Sequence, residues 1–237
     1  MIEPLHVAIA GLGTVGAAVA KILTTRRDLI SARCGREILL SAVSARDRSR
    51  DRGVDLSGVD WFDDAADMAT HADADVILEL IGGEEGIAKV VCENAINAGR
   101  NLITANKALL AIHGTALAQA AEKEAVGLGY EASVGGGIPV IKALREGFSG
   151  NQITSIHGIL NGTCNYILTT MRETGRDFGD VLAEAQELGY AEADPTMDVD
   201  GIDAAHKLAL LASVAFGTEV NFDAVHVEGI RHISADD

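Results

Sequence analysis

Between Glu192 and Lys207 the chain reads Glu-Ala-Asp-Pro-Thr-Met-Asp-Val-Asp-Gly-Ile-Asp-Ala-Ala-His-Lys, a crowd of ionisable side chains that runs directly into an apolar helical pattern. Asp203 and Lys207 stand four residues apart, so a helix over 201–216 places them on one face, about a turn from each other. Around them are Ile202, Ala204, Ala205, Leu208, Ala209, Leu210, Leu211, Val214 and Ala215, and a helix apolar on nearly every side is normally buried. An acid and an amine held there suit proton transfer, because perturbable charged pairs in clefts are where catalysis sits. The alternative is a surface ion pair contributing about 0.2–0.5 kcal/mol and no chemistry. His206 is one residue from Lys207, so it points elsewhere on the helix and is expected to be structural. Cys164 lies in a glycine-containing turn with no histidine placed by sequence to activate it, and its expected role is packing.

The elements that would position this stretch begin at the amino terminus. Leu5 to Ala10 is a short apolar run ending in Gly11-Leu-Gly-Thr-Val-Gly16, and a helical pattern follows over 17–23. In a strand–turn–helix context the G-x-G-x-x-G spacing points to dinucleotide binding. Gly11 permits the tight turn, Gly13 lets backbone approach a pyrophosphate, Gly16 lets helix pack on strand, and Thr14 and Val15 complete the turn at the helix N-terminus that attracts phosphate. A second strand is expected over 37–43. Its end faces the adenosine ribose, where an acid selects NAD and an arginine accommodates the 2′-phosphate of NADP. The residues there run Ser44-Ala-Arg-Asp-Arg-Ser-Arg-Asp-Arg52, which favours Arg46 as the phosphate contact, then Arg48, with Asp47 keeping NAD open.

Further strands are expected over 73–81, 101–104 and 127–131, with helices over 84–98 and 107–125 between them. Alternation of this kind gives right-handed βαβ units and a parallel, doubly wound sheet of Rossmann type, with ligands gathered at the strand carboxyl ends. That places Gly82-Gly83, Thr104, Lys107 and Glu131 beside the glycine turn. Lys107 opens a helix, where its charge is unfavourable unless an anion is near; a ligand contact and an exposed first-turn lysine both fit.

At Glu131-Ala-Ser-Val-Gly-Gly-Gly-Ile-Pro139 the alternation stops, and the glycine run reads as a hinge between a domain over 1–137 and a second over 138–237. The second is expected to be α+β and incomplete. Its elements are a helix over 139–146, a strand over 152–160, a turn Asn161-Gly-Thr-Cys164 leading a helix to about residue 173, and a helix over 178–188 capped by Gly189. The final Ser234-Ala-Asp-Asp237 has the form of a helix start, which suggests a truncated chain.

The composition fits a globular protein able to bury a large core, at 237 residues with 48% hydrophobic side chains. No run of about eighteen apolar residues or signal-peptide pattern occurs, and Cys34, Cys92 and Cys164 have no metal-ligand spacing, so a cytoplasmic protein with reduced thiols is expected. A net charge of −16 argues against nucleic acid or an anionic membrane as partner. Between Lys21 and Arg52, however, nine basic residues face four acids, a basic island that suits a small anionic ligand or a solvated surface.

Taken together, Gly11-Leu-Gly-Thr-Val-Gly16, Thr104-Ala-Asn-Lys-Ala108, Tyr130-Glu-Ala-Ser-Val-Gly-Gly-Gly-Ile-Pro139, Asn161-Gly-Thr-Cys-Asn-Tyr166 and Gly189-Tyr-Ala-Glu-Ala-Asp-Pro195 through Asp203-Ala-Ala-His-Lys207 resemble homoserine dehydrogenase over essentially the whole chain. The resemblance implies interconversion of L-homoserine and L-aspartate 4-semialdehyde with NADP or NAD, in threonine and methionine biosynthesis. It makes Lys207 the proton donor, Asp198 and Asp203 active-site aspartates, Glu192 the substrate-binding glutamate with Gly189 in the same motif, and Lys107 a cofactor contact. It also implies a monovalent cation, usually sodium, on main-chain oxygens of Glu131, Val134, Gly136 and Ile138, and a homodimer for the full-length protein. The family's catalytic chain is longer, so part of the substrate domain and the dimer surface are expected to be missing. Two other functions fit the residues alone: a different amino-acid dehydrogenase, and a non-catalytic dinucleotide-sensing module.

Overall fold

The computed structural model describes residues 2–234 and 237. The chain forms two compact units, Met1–Gly136 and Gly137–Asp237, which divide inside the glycine run.

The first unit is built on strands that are apolar on both faces, as parallel strands covered by helices must be. β1 (Leu5–Ala10), β2 (Ile38–Ser44) and β4 (Val76–Glu79) form its centre; β3 (Asp60–Phe62), β5 (Asn101–Thr104) and β6 (Leu128–Gly129) extend it, all parallel, in the order β3-β2-β1-β4-β5-β6. The chain builds outward from β1 to β3 and returns across β1 to lay down β4. The order therefore reverses between β1 and β4, the switch point where sheets of this Rossmann type take their ligands. Val7, Ile9, Val43, Val76 and Leu78 form the core beneath that point.

Helices α1 (Thr14–Thr25), α2 (Arg27–Cys34), α3 (Ala65–His71), α4 (Ile87–Asn97) and α5 (Lys107–Lys123) connect the strands. Asp64 caps α3 by accepting from Ala66 N, and Asn106 caps α5 by accepting from Leu109 N. β3 and α2 were not anticipated. β3 has three residues and shows no periodicity, and α2 lies entirely at the surface without an apolar stripe.

The second unit is helical among the described residues. It contains α6 (Val140–Lys142), which continues as a π-helical turn over Ala143–Gly147, then α7 (Gly162–Thr174), α8 (Phe178–Glu187), α9 (Thr196–Val199) and α10 (Ile202–Phe216). Ile167, Met171, Val181, Ala185 and Val199 form its core. The strand expected over 152–160 is not formed. The segment runs without regular structure and Ile159 is 77% exposed, because a strand persists only by pairing and this unit offers no partner among the described residues. The helix start read at Ser234 to Asp237 falls partly on residues 235 and 236, outside those described.

Candidate active site

Each unit carries a polar centre of interest for chemistry. In the first, it lies at the carboxyl ends of the strands. Gly11, at φ +97, has no room for a side chain, since a Cβ there would stand 2.7 Å from Leu80 O. A Cβ on Gly16 would stand 1.8 Å from Gly11 O, so the turn requires glycine at both positions. Gly13 differs: apart from its chain neighbours, nothing lies within 4 Å of its would-be Cβ. The backbone at Gly13 is thus bare toward open space at the start of α1, as approach of a phosphate to the helix N-terminus requires.

A cleft of about 830 Å³ opens from this turn, lined by Gly11, Gly13, Arg46, Asp47, Arg50 and Arg52 among others. Arg46 and Arg50 are exposed within it. Arg52, read in the sequence only as one member of the basic island, organises the basic loop: its guanidinium donates to Leu12 O (3.2 Å), Arg50 O (2.7 Å) and Asp47 O (2.6 Å) and lies over Trp61, 5.4 Å from the ring centroid. Arg48 also lies over Trp61, at 5.7 Å, and does not line the cleft. The Asp47 carboxylate is turned back on its own loop, accepting from Ser49 N (2.9 Å) and Ser49 Oγ (2.6 Å). These bonds hold it below its ordinary titration range.

A smaller hollow of about 150 Å³ lies next to this cleft at the β4–β5 end, lined by Val15, Glu79, Ile81, Gly82, Ala105 and Asn106. Under it is a buried polar network. Glu79 Oε1 accepts from Ile81 N (2.7 Å) and Gly82 N (3.1 Å), and Glu79 Oε2 accepts from Thr104 Oγ1 (2.5 Å). Thr104 Oγ1 accepts from Asn106 N (2.9 Å), Thr104 O from Ser133 Oγ (3.1 Å), and Gly83 O from Asn106 Nδ2 (2.6 Å). Thr104 therefore sits beneath the surface, fully buried, and fixes the loop that starts α5 at Lys107. Glu79 was missed. Its only signal was a single acid inside Val-Ile-Leu-Glu-Leu-Ile. A further hollow of about 740 Å³ lies by His6, Leu39 and Asp73, against the beginnings of β1, β2 and β4, which is the wrong end of a parallel sheet for a ligand.

In the second unit, Gly201 at φ +81 starts α10, and Asp203 and Lys207 meet across its first turn. Lys207 Nζ donates to Asp203 Oδ2 (2.5 Å) and Leu160 O (2.7 Å), with the two side chains only 19% and 10% exposed. The pair is thus not a surface one. Asn161 joins it to Asp198: Nδ2 donates to Asp198 Oδ1 (2.6 Å) and Asp203 Oδ2 (2.9 Å), while Oδ1 caps α7 through Cys164 N (2.8 Å). Two bonds to Lys207 leave one of its three N–H groups for a ligand oxygen. Asn161 had been quoted as part of a motif but given no site role, because its partners are 37 and 42 residues away.

Cys164 Sγ donates to Asp198 O, and burial, followed by the charges of Asp198 and Asp203, pushes its thiol up to about 11. A thiol so held is no nucleophile. His206 is 2% exposed, its ring 4.6 Å from that of Phe222. Glu192 and Gly189 stand on the exposed α8–α9 loop, where Gln186 Nε2 holds Glu192 O (2.9 Å); the Glu192 side chain is outside the Asn161 cluster. Glu131 opens a 3-10 turn, Val134 is buried, Gly136 has φ +59, and Ile138 is exposed. Among the described residues, no group of three His, Cys, Asp or Glu could hold a metal, and no helix is long and apolar enough to cross a membrane.

Comparison with known proteins follows the same division. Residues 11–131 match the family model described as the NAD binding domain of homoserine dehydrogenase, and residues 139–237 match the homoserine dehydrogenase model. A curated homoserine dehydrogenase of Neisseria gonorrhoeae is 47% identical over 235 residues, 99% of this chain and 54% of that protein. The crystal structure of a homoserine dehydrogenase from Thiobacillus denitrificans aligns with a TM-score of 0.91 at 42% identity, over 99% of this chain and 54% of that one. A hyperthermophilic archaeal homoserine dehydrogenase in complex with NADPH aligns with a TM-score of 0.83 at 26% identity, over 99% and 76%. The chain spans about half the length of the curated relatives it matches. On two family models that together cover most of its length, the chain belongs to the homoserine dehydrogenase family.

Proposed function

We propose that this chain carries the catalytic machinery for interconverting L-homoserine and L-aspartate 4-semialdehyde with a nicotinamide dinucleotide, NADP in preference to NAD, as a cytoplasmic step of threonine and methionine biosynthesis. The observation that carries the proposal is the Lys207–Asp203–Asn161–Asp198 cluster, buried at Asp203 and Asn161 and half-buried at the other two, in the unit that matches the homoserine dehydrogenase model.

The bound dinucleotide would accept or supply the hydride. Gly11, Gly13, Thr14, Val15 and Gly16 present the start of α1 to its pyrophosphate, and the room above Gly13 supports the fit. Arg46 and Arg50 face the 2′-phosphate end, and Asp47, committed to Ser49, is poorly placed to select NAD. Thr104 and Lys107 hold and flank the opposite end. Lys207 stabilises the substrate alkoxide and gives its proton to that oxygen when the aldehyde is reduced. Asp203 and Asn161 fix the position of Nζ, and Asp198 shares the Asn161 amide. Glu192, with Gly189 beside it, takes the substrate ammonium. Sodium at Glu131, Val134, Gly136 and Ile138 belongs to the same proposal. The full-length protein is proposed to be a homodimer.

A spectrophotometric assay of homoserine oxidation with NADP+ and with NAD+ tests this, on the present chain and on one continued to the length of its relatives. Lys207→Ala in the active form is expected to lower kcat by ~10²-fold or more. Activity near that of the parent would remove Lys207 from the mechanism, and no homoserine-dependent reduction by either form would refute the function.

A further inference from the structure

Glu79 is fully buried at the end of a strand whose other residues are apolar, and nothing in hydride transfer as described above uses it. Its hydrogen bonds define its charge. Both oxygens face donors: the backbone N–H groups of Ile81 and Gly82 on one, the Thr104 hydroxyl on the other. Glu79 Oε2 is the acceptor within reach of the Thr104 hydroxyl proton, and Thr104 Oγ1 accepts from Asn106 N on its other side. Three donors on its two oxygens, all of them neutral, suit the carboxylate form. α5 adds to this, since its N-terminus begins beyond Asn106, one hydrogen bond further along the network.

This negative charge forms part of the wall of the small apolar hollow at the β4–β5 end of the ligand crevice. The arginine-lined cleft at the β2 end takes the adenosine phosphate, so a dinucleotide lying across the switch point puts its nicotinamide in the small hollow. The oxidised ring is a cation and the reduced ring is neutral. A fixed carboxylate in a poorly solvated wall acts on the first and hardly on the second.

We propose that Glu79 is a specificity-determining residue, whose buried carboxylate favours the oxidised over the reduced nicotinamide cofactor and so biases the bound redox pair. The inference rests on the dinucleotide reading given above. Dissociation constants for NADP+ and NADPH, measured on the wild-type chain and on Glu79→Gln by calorimetry, separate charge from shape. Glutamine keeps the size and one acceptor oxygen for the Ile81 and Gly82 N–H groups. The ratio Kd(NADP+)/Kd(NADPH) is expected to rise about tenfold in the variant, the scale of two unit charges about 6 Å apart at an effective dielectric constant of about 40. A merely structural role would weaken both forms together, so a ratio that stays within about twofold of wild type overturns the inference. Should Glu79→Gln fail to fold, the wild-type chain still decides. The cationic 1-methylnicotinamide is expected to displace NADPH at lower concentration than neutral nicotinamide, and equal or weaker displacement overturns the inference. If the wild type binds neither NADP(H) nor NAD(H), the dinucleotide reading itself falls and takes this one with it; binding with an unmoved ratio sinks the Glu79 inference alone.

Discussion

Asn161 bears more of the second unit's polar centre than any other side chain, and removing it gives a measurable result whatever the substrate. Three hydrogen bonds end on its amide: one caps α7 and two hold Asp198 and Asp203. Loss of an N-cap costs about 1 kcal/mol. A hydrogen bond to a charged group is worth about 1.5–3 kcal/mol, and the lower figure applies here because Asp198 is only half-buried. Water re-entering the space returns part of this, which leaves a loss of about 3 kcal/mol for Asn161→Ala, roughly a hundredfold in the folding constant. Urea unfolding followed by circular dichroism is the assay, with the midpoint falling while the slope is kept. Asn161→Asp is the sharper companion. It retains a capping oxygen but sets a third carboxylate against two, so repulsion raises the folded-state titration of the group above its unfolded value. Its destabilisation is then full at neutral pH and shrinks as pH falls through the raised value, when one carboxyl takes up a proton. A cost below about 1 kcal/mol for the alanine variant, or a pH-independent cost for the aspartate, would refute the account of Asn161 as the bridge.

Gly16→Ala is expected to destabilise the first unit by more than about 3 kcal/mol, since its Cβ would meet Gly11 O at 1.8 Å. Gly13→Ala, with φ −73 and open space before it, is expected to cost at most about 1 kcal/mol yet weaken NADP+ binding ~10-fold or more; unchanged binding would contradict the phosphate approach at Gly13. In the second unit, hydrogen bonds from Tyr166 and then Arg176 hold the Glu184 carboxyl below its usual range. A depressed carboxyl stabilises above its unfolded value, near pH 4, and the contribution is lost as pH falls through the folded value. Tyr166→Phe should therefore lower the urea midpoint at neutral pH, with the difference from wild type fading toward pH 3. A difference constant over that window would count against the bond.

Sequence alone determined what depends on near neighbours. The glycine spacing at 11–16 is local turn geometry, the i,i+4 contact of Asp203 with Lys207 follows from helix pitch, and the apolar runs of β1, β2 and β4 are the mark of strands buried on both faces. The tertiary structure decided what depends on residues far apart. Ile153, Thr154, Ile156 and Ile159 give the stretch the β-branched composition of a strand, yet strandedness is a property of a pair, and among the described residues no partner came. Arg52 looked like one more member of a basic island until its three carbonyl partners showed it holding the loop. Glu79, Thr104 and Asn161 carried no periodic signal, because a buried polar group is defined by donors and acceptors brought from 25 to 42 positions away. The chain's order names the chemistry it could perform; the fold selects which charges are buried and what they face.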